Sequence, residues 1–297
     1  MRNLFFIVNK TAGSGRAAKN FAQIEAMLRD RQISYSYETT EYIGHGAELA
    51  KKAYKSGERC IIAVGGDGTA KEVGGALAGT DAVFGLLPFG TGNDLSRPLH
   101  IPDEPEKALD IILNGTVRPM DVGVANDKIF LNVSGFGFDV DVLENTDAFK
   151  KRFNGMIPYI FGIIKSLFSL KSTHITLTHD GETCSQESLL VAVGNGTHFG
   201  GGMNVTPNAD PFDGMFDVCL IRKVGIFKFL TLLPVFIKGK HEKVTSIVTT
   251  FRTNELTVKS SRAYPINFDG ELELSTPVHY RMLKGALNIL VPSEVTA

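Results

Sequence analysis

Four times within its first 125 residues the chain carries an apolar run into polar, often glycine-bearing residues and then into a segment with apolar residues at helical spacing. Leu4 to Asn9 precedes Arg16 to Arg29, where Ala17, Phe21, Ile24, Met27 and Leu28 recur every three or four positions. Ser34 to Thr39 precedes Gly46 to Ser56, Cys60 to Val64 precedes Ala70 to Ala78, and Ala82 to Leu87 precedes Glu104 to Leu113. Apolar strands that alternate with helices predict an α/β domain built on a parallel sheet covered on both faces. The sheet's ligand side is then the crevice outside the strands' carboxyl ends, which is where the glycines fall.

Beyond Met120-Asp121-Val122-Gly123 the pattern changes. Short strand-like runs follow one another at Lys128 to Ser134, His174 to His179, Leu189 to Gly194, Phe216 to Arg222 and Leu256 to Ser260. Helices are expected over Asp139 to Phe153, Gly155 to Leu170 and Gly225 to Ile237, and turns at Asp180-Gly181 and Asp213-Gly214. The expectation is a first domain over residues 1–125 and a β-rich second domain, a sandwich with helices, over 126–297, its last residues packing back on the first. A length of 297 residues suits two such cores. The two long apolar stretches, broken by Pro158 and Lys165 and by Lys228 and Pro234, are too short to span a bilayer. Residues 1–15 lack the apolar core and cleavage site of a signal peptide and read as a first strand. Net charge is -1, so nothing draws the chain to nucleic acid at large. Cys60, Cys184 and Cys219 are scattered and favour neither disulfides nor zinc, and a reducing cytoplasm fits them.

Three glycine-bearing segments sit where the first domain's strands end. In Asn9-Lys10-Thr11-Ala12-Gly13-Ser14-Gly15-Arg16 the glycines let main-chain N–H groups approach an anion at a helix N-terminus, although a plain connecting loop explains them too. In Gly65-Gly66-Asp67-Gly68-Thr69 no side chain stands between backbone and ligand except a carboxylate, which suits phosphates accompanied by a divalent cation or an acidic proton. Thr69 and Glu72 have the spacing of a capping box for the next helix. In Phe89-Gly90-Thr91-Gly92-Asn93-Asp94, Thr91 and Asn93 offer neutral hydrogen bonds suited to phosphate or ribose hydroxyls.

VGGDGT at Val64 to Thr69, FGTGND at Phe89 to Asp94, the early VNKTAGSGRA and the late FDGE at Phe268 to Glu271 together resemble the diacylglycerol kinase catalytic-domain family of lipid kinases. The resemblance runs over the whole chain and implies an NAD kinase-like first domain, with nucleotide held between it and a β-rich second domain. It implies ATP contacts from Asn9, Gly13, Gly15, Arg16, Thr40, Gly65, Gly66, Asp67, Gly68, Thr69 and Thr91, and we add Glu72 and Asn93 to that set. It implies a Mg²⁺ loop at Asn208 to Met215, with the carboxylate of Asp213 and the carbonyls of Asp210 and Met215 as ligands. It implies that the glutamate of Asp269-Gly270-Glu271 is the general base; with Asp67 and Asp269 as the other catalytic candidates, we favour Glu271 as proton acceptor and Asp67 for positioning phosphates or Mg²⁺, the reverse division between Glu271 and Asp67 staying open. Two departures from the family pattern are Lys10, where Pro is usual, and Lys71, where Asn is frequent.

The function so implied is ATP- and Mg²⁺-dependent transfer of a γ-phosphate to a lipid hydroxyl, yielding a phospholipid such as phosphatidic acid. An NAD kinase-like enzyme and a nucleotide-binding module without catalysis are the alternatives. The implied partner is a lipid presented at a membrane surface, with peripheral contact at the inner face from the cytoplasm and a homodimer compatible with it. Phe149 to Leu170 and Gly225 to Lys243, which combine apolar runs with Lys150, Lys151, Arg152, Lys165, Lys238, Lys240 and Lys243, suit either an anionic bilayer or a core with snorkelling lysines.

Overall fold

The structure is a computed structural model that describes residues 3–138, 140–142, 144–145, 162, 165–166, 172–261 and 263–293. Most of Asp139 to Phe153 and Gly155 to Leu170, and with them Lys150, Lys151 and Arg152, lie outside the described residues. The chain divides into two compact units, Met1–Val122 with Lys284–Ala297, and Gly123–Leu283.

In the first unit β1 (Leu4–Val8), β2 (Tyr35–Thr39), β3 (Cys60–Gly65) and β4 (Val83–Pro88) pair in parallel in the order β2-β1-β3-β4. Residues Asn288 and Ile289 of the chain's last strand pair in parallel beside β4. Every residue of β1 and β3 is buried, as strands covered by helices on both faces must be. The covering helices are α1 (Arg16–Asp30), α2 (His45–Lys55), α3 (Asp67–Leu77) and α4 (Pro105–Asn114). Helix α1 buries Ala17, Phe21, Ile24 and Leu28, the stripe its spacing predicts, and α4 starts on Pro105, whose missing N–H costs nothing there.

The second unit is antiparallel. Strand β5 (Thr116–Ala125) brings the chain into it and pairs with β6 (Lys128–Phe130). Strands β7 (Val133–Gly137), β8 (Thr173–His179) and β9 (Glu182–Gly194) follow, with β9 between β7 and β8 and also bonded to β12 (Phe216–Arg222). Two short strands, β10 (His198–Phe199) and β11 (Met203–Asn204), form a hairpin. After α5 (Ile226–Ile237) come β13 (Val248–Thr253), β14 (Glu255–Ser260), β15 (Pro265–Phe268), β16 (Glu271–Ser275) and β17 (Val278–Val291), which returns to the first unit.

Period-two alternation in β9 and β12 separates two cores. Val191, Val193, Val218 and Leu220 face a cluster rich in aromatic rings, where Phe130 stacks on Phe216 at 5.7 Å. Leu190, Ala192, Cys219 and Ile221 face the other cluster, against which Phe229, Leu232, Leu233 and Phe236 of α5 pack. Burial on both faces explains why Leu189 to Gly194 reads as an unbroken apolar run. The run expected from Lys128 to Ser134 is instead two strands, because the main chain at Leu131 and Asn132 turns aside to a carboxylate described below.

Candidate active site

The first unit's sheet reverses direction between β1 and β3: from β1 the chain steps outward to β2, then crosses back to β3 and on to β4. Such a switch point leaves a crevice at the strands' carboxyl ends, and the glycine segments after β1, β3 and β4 converge on it. The Asn9 N–H donates to Val64 O at 2.9 Å, and its side chain donates to Thr69 Oγ1 at 3.2 Å. Thr40, just past β2, is fixed by its N–H on Val8 O at 3.0 Å. Arg16 ties the first loop to the third: its Nη2 donates to Gly90 O, its Nε to Phe89 O at 3.4 Å, and its Nη1 pairs with Asp103 at 3.3 Å.

Close backbone approach dictates the glycines at two places. A Cβ on Gly13, which has φ +59°, would lie 2.5 Å from Phe89 O. A Cβ on Gly90 would lie 2.2 Å from the Cα of Gly66, so the second and third loops touch backbone to backbone. Gly68 is different: it sits exposed in the first turn of α3 and a Cβ there would meet nothing within 4 Å. Thr91 is exposed at the third loop, whereas Asn93 is buried with φ +52°, its Nδ2 donating to Pro88 O at 2.7 Å. The Oδ1 of Asn93 is buried without a donor, beside Gly90. Such an orphan acceptor fits a cradle that a ligand hydroxyl completes.

Helix α3 starts at Asp67 with Gly66 as its N-cap and no side-chain cap, and this corrects the expected capping box. Thr69 is inside the first turn, accepting from Asn9, and Glu72 turns away from its own helix. The Glu72 carboxylate accepts the N–H groups of Gly44 at 2.8 Å and Gly46 at 2.9 Å, capping α2. Glu72 thereby braces two helices; the local spacing rule lost to a tertiary partner with two orphan N–H groups to offer.

Asp67 sits at the N-terminal turn of α3, its Oδ1 accepting Leu95 N–H at 3.1 Å. Burial pushes its pKa up, and main-chain N–H groups of Leu95, Asp94 and Asn93 draw it part of the way back. An acid so poised at a helix N-terminus, surrounded by backbone donors and glycines, is suited to a site that binds phosphate.

In the second unit the late acidic motif separates into two roles. Asp269, with φ +49°, accepts Leu131 N–H at 2.7 Å on Oδ2, and Asn132 and Val133 N–H groups at 3.0 and 3.1 Å on Oδ1. That carboxylate clamps the bend between β6 and β7. Glu271 opens β16 two residues later, half-buried, with Gly270 between them at φ +94° and its N–H on Asn267 Oδ1 at 2.8 Å. Sequence reading passed over Asn132 and Asn195, which extend the clamp: Asn195 Nδ2 donates to Leu131 O at 2.7 Å and Asn132 Nδ2 to His198 O at 2.6 Å. The available signal was an asparagine inside one apolar run, at Asn132, and another directly after the run Leu189 to Gly194, at Asn195.

The loop from Asn208 to Met215 keeps its expected turn. Asp210 Oδ1 accepts Phe212 N–H at 3.0 Å, Asp213 Oδ1 accepts Met215 N–H at 2.9 Å, and Gly214 takes φ +83°. Asp213 Oδ2 is held by Arg252, whose Nε also pairs with Asp217 at 3.2 Å. Among the described residues no group of three or more His, Cys, Asp and Glu side chains gathers to hold a metal. A cation placed here would have to share the Asp213 carboxylate with Arg252 and the Met215 N–H, and would draw its other ligands from the carbonyls of Asp210 and Met215 and from water. The charge balance fits: two carboxylates share one guanidinium. Burial pushes the pKa of Asp217 up, Arg252 pulls it down, and Asp213 and Glu242 push it up again.

Residues 3–125 match the Diacylglycerol kinase catalytic domain, and residues 132–291 match the YegS C-terminal NAD kinase beta sandwich-like domain. The diacylglycerol kinase of Bacillus subtilis is 30% identical over 297 residues, covering 99% of this chain and 98% of its own length. The chain belongs to the diacylglycerol kinase catalytic-domain family. It is a kinase. The Mycobacterium tuberculosis diacylglycerol kinase is likewise 30% identical, over 96% of this chain and 94% of that protein. A solved Bacillus anthracis structure superposes with a TM-score of 0.81 at 27% identity, covering 98% of this chain and 95% of that one. The family assignment agrees with the expected architecture, a glycine-lined parallel α/β unit and a β-rich unit of sandwich type.

Proposed function

We propose that the chain transfers the γ-phosphate of ATP to the hydroxyl of a membrane lipid, diacylglycerol in the first instance, giving phosphatidic acid. Its family relatives are named for that acceptor, and the observation carrying the donor half is the convergence of three glycine loops on the β1–β3 switch point. Loose, highly charged phosphoryl transfer asks a protein chiefly for position and electrostatics. Backbone N–H groups of the Gly13–Gly15 and Gly66–Gly68 segments receive phosphate oxygens at the N-termini of α1 and α3. Thr40, Thr91 and the unpaired Asn93 Oδ1 take neutral hydroxyls of the nucleotide.

Asp67 orients the phosphates from the first turn of α3, and Glu271 accepts the proton that the lipid hydroxyl loses as its oxygen bonds to the γ-phosphorus and the bond from that phosphorus to the β–γ bridging oxygen breaks, releasing ADP. Mg²⁺, when bound, neutralises charge on phosphate oxygens. Asp213, with the carbonyls of Asp210 and Met215, would hold a structural Mg²⁺, which would offset the negative charge that Arg252 leaves on Asp213 and Asp217. Millimolar Mg²⁺ is expected to raise the melting temperature of the protein by about 2 °C or more. Asp213→Asn is expected to abolish that rise; an equal rise in the variant would remove the loop from the metal account.

Incubating the protein with γ-labelled ATP, Mg²⁺ and a panel of diacylglycerol, sphingoid base, phosphatidylglycerol and polyprenol tests the reading. Label in diacylglycerol is the expected result, and label in none of them with ATP bound would overturn it.

A further inference from the structure

Helix α5 has two apolar faces and the fold uses one of them. Phe229, Leu232, Leu233 and Phe236 pack on the second unit's core. Ile226, Phe227, Leu230 and Ile237 lie on the other side at helical spacing, and Phe227 is 87% exposed. A water-soluble helix would carry polar residues there. The surroundings are cationic: between residues 222 and 243 stand Arg222, Lys223, Lys228, Lys238, Lys240 and Lys243, all exposed, against Glu242 alone. In a chain of net charge -1 that concentration is local. At 12 residues the helix is too short to cross a bilayer, and among the described residues no helix is long and apolar enough to do so. Its C-terminal end is pinned by His241, buried against Phe236 at 4.4 Å and bonded through Nε2 to Val205 O at 2.9 Å.

We infer that the outer face of α5 docks the second unit on an anionic lipid bilayer, with Phe227 and Leu230 entering the acyl boundary and the lysines on either side meeting lipid phosphates. Charge decides the occupant. A second copy of the same face would bring six cations against six, whereas an anionic leaflet complements them at about fivefold in affinity per lysine. Apolar insertion and lysine contact are both needed, since one weak anchor holds a protein to a membrane only marginally. The inference rests on the lipid kinase reading only for its purpose, because docking needs neither ATP nor acceptor.

Co-sedimentation of the full chain with vesicles of phosphatidylcholine alone, and of equimolar phosphatidylcholine and phosphatidylglycerol, without nucleotide, reads docking directly. Wild type is expected to bind the anionic vesicles and to release them as salt rises. Phe227→Ser with Leu230→Ser is expected to weaken partition about tenfold or more, and Lys238→Gln with Lys240→Gln by about tenfold or more, at unchanged circular dichroism. Turnover on a short-chain, detergent-dispersed acceptor is expected to stay at the wild-type level in both, so a failed docking test and a failed kinase test give different results. Wild-type partition in either variant would overturn the inference. So would dissociation of a wild-type dimer into monomers by the Phe227 and Leu230 changes, which would assign the face to a second copy.

Discussion

Replacing Gly90 by alanine is expected to destabilise the protein by about 3 kcal/mol and to abolish measurable ATP binding. The added Cβ would stand 2.2 Å from Gly66 Cα, 2.8 Å from Gly66 N and 2.9 Å from Asn93 Oδ1. The first two are backbone atoms of the turn that starts α3, so no side-chain rotation relieves the overlap; the second or third loop must move. The comparison is Gly68→Ala. That Cβ meets nothing within 4 Å, and alanine in a helix's first turn is expected to add about 0.5 kcal/mol of stability rather than remove it. If the α3 N-terminus faces phosphates, Gly68→Ala nonetheless weakens ATP binding, because the new methyl stands where the nucleotide approaches. Denaturant melts and nucleotide titrations of the two variants therefore separate packing from ligand approach. Equal ATP affinity in Gly68→Ala and wild type would remove the second loop from the nucleotide site.

Asp67→Asn is expected to lower turnover by about 10³-fold or more while leaving the fold intact and, at neutral pH, more stable than wild type. Asparagine keeps an oxygen for the Leu95 N–H, which Asp67 accepts at 3.1 Å. Burial holds the carboxyl pKa above its ordinary value. The folded chain therefore binds that proton more tightly than the unfolded chain does. Stability from this linkage is present below the unfolded pKa, about 3.9, and is lost as pH rises through the folded value. Folding thus disfavours the ionised form of Asp67, a cost at neutral pH that Asp67→Asn lacks. Melting curves should show the variant's advantage at neutral pH and its disappearance in acid. A charge kept at the expense of stability points to use; a variant less stable than wild type at neutral pH would contradict this.

Much of the fold was legible because burial imposes a simple pattern on it. Strands β1, β3 and β4 are covered by helices and read as apolar runs, and α1 shows its buried stripe at helical spacing. Strand β12 was legible to the residue, Phe216 to Arg222, since six of its seven positions are buried. The first half of β9 was not: Glu182 to Glu187 is polar and largely exposed, held by backbone pairing with β8 that hydropathy does not register. Glycines were the most readable residues of the first unit's loops, since Gly13 and Gly90 are required by backbone contacts that leave no room for a side chain. Carboxylates were the least readable. Glu72 and Asp269 have the right spacing for a cap and for catalysis, yet each bonds N–H groups far away in sequence, at Gly44 and Gly46 and at Leu131 to Val133. A carboxylate's role follows from which donors the fold leaves unpaired, and those are fixed by tertiary structure.

On the proposed function a phosphoryl group passes from ATP to a lipid hydroxyl, with Asp67 and Glu271 each indispensable. Extraction of label into chloroform after incubating wild type, Asp67→Asn and Glu271→Gln with γ-labelled ATP, Mg²⁺ and diacylglycerol vesicles measures it directly. Label in lipid is expected from wild type alone, with ATP still bound by Glu271→Gln. Wild-type labelling by Glu271→Gln, or ATP bound by wild type with no label in lipid, would contradict it.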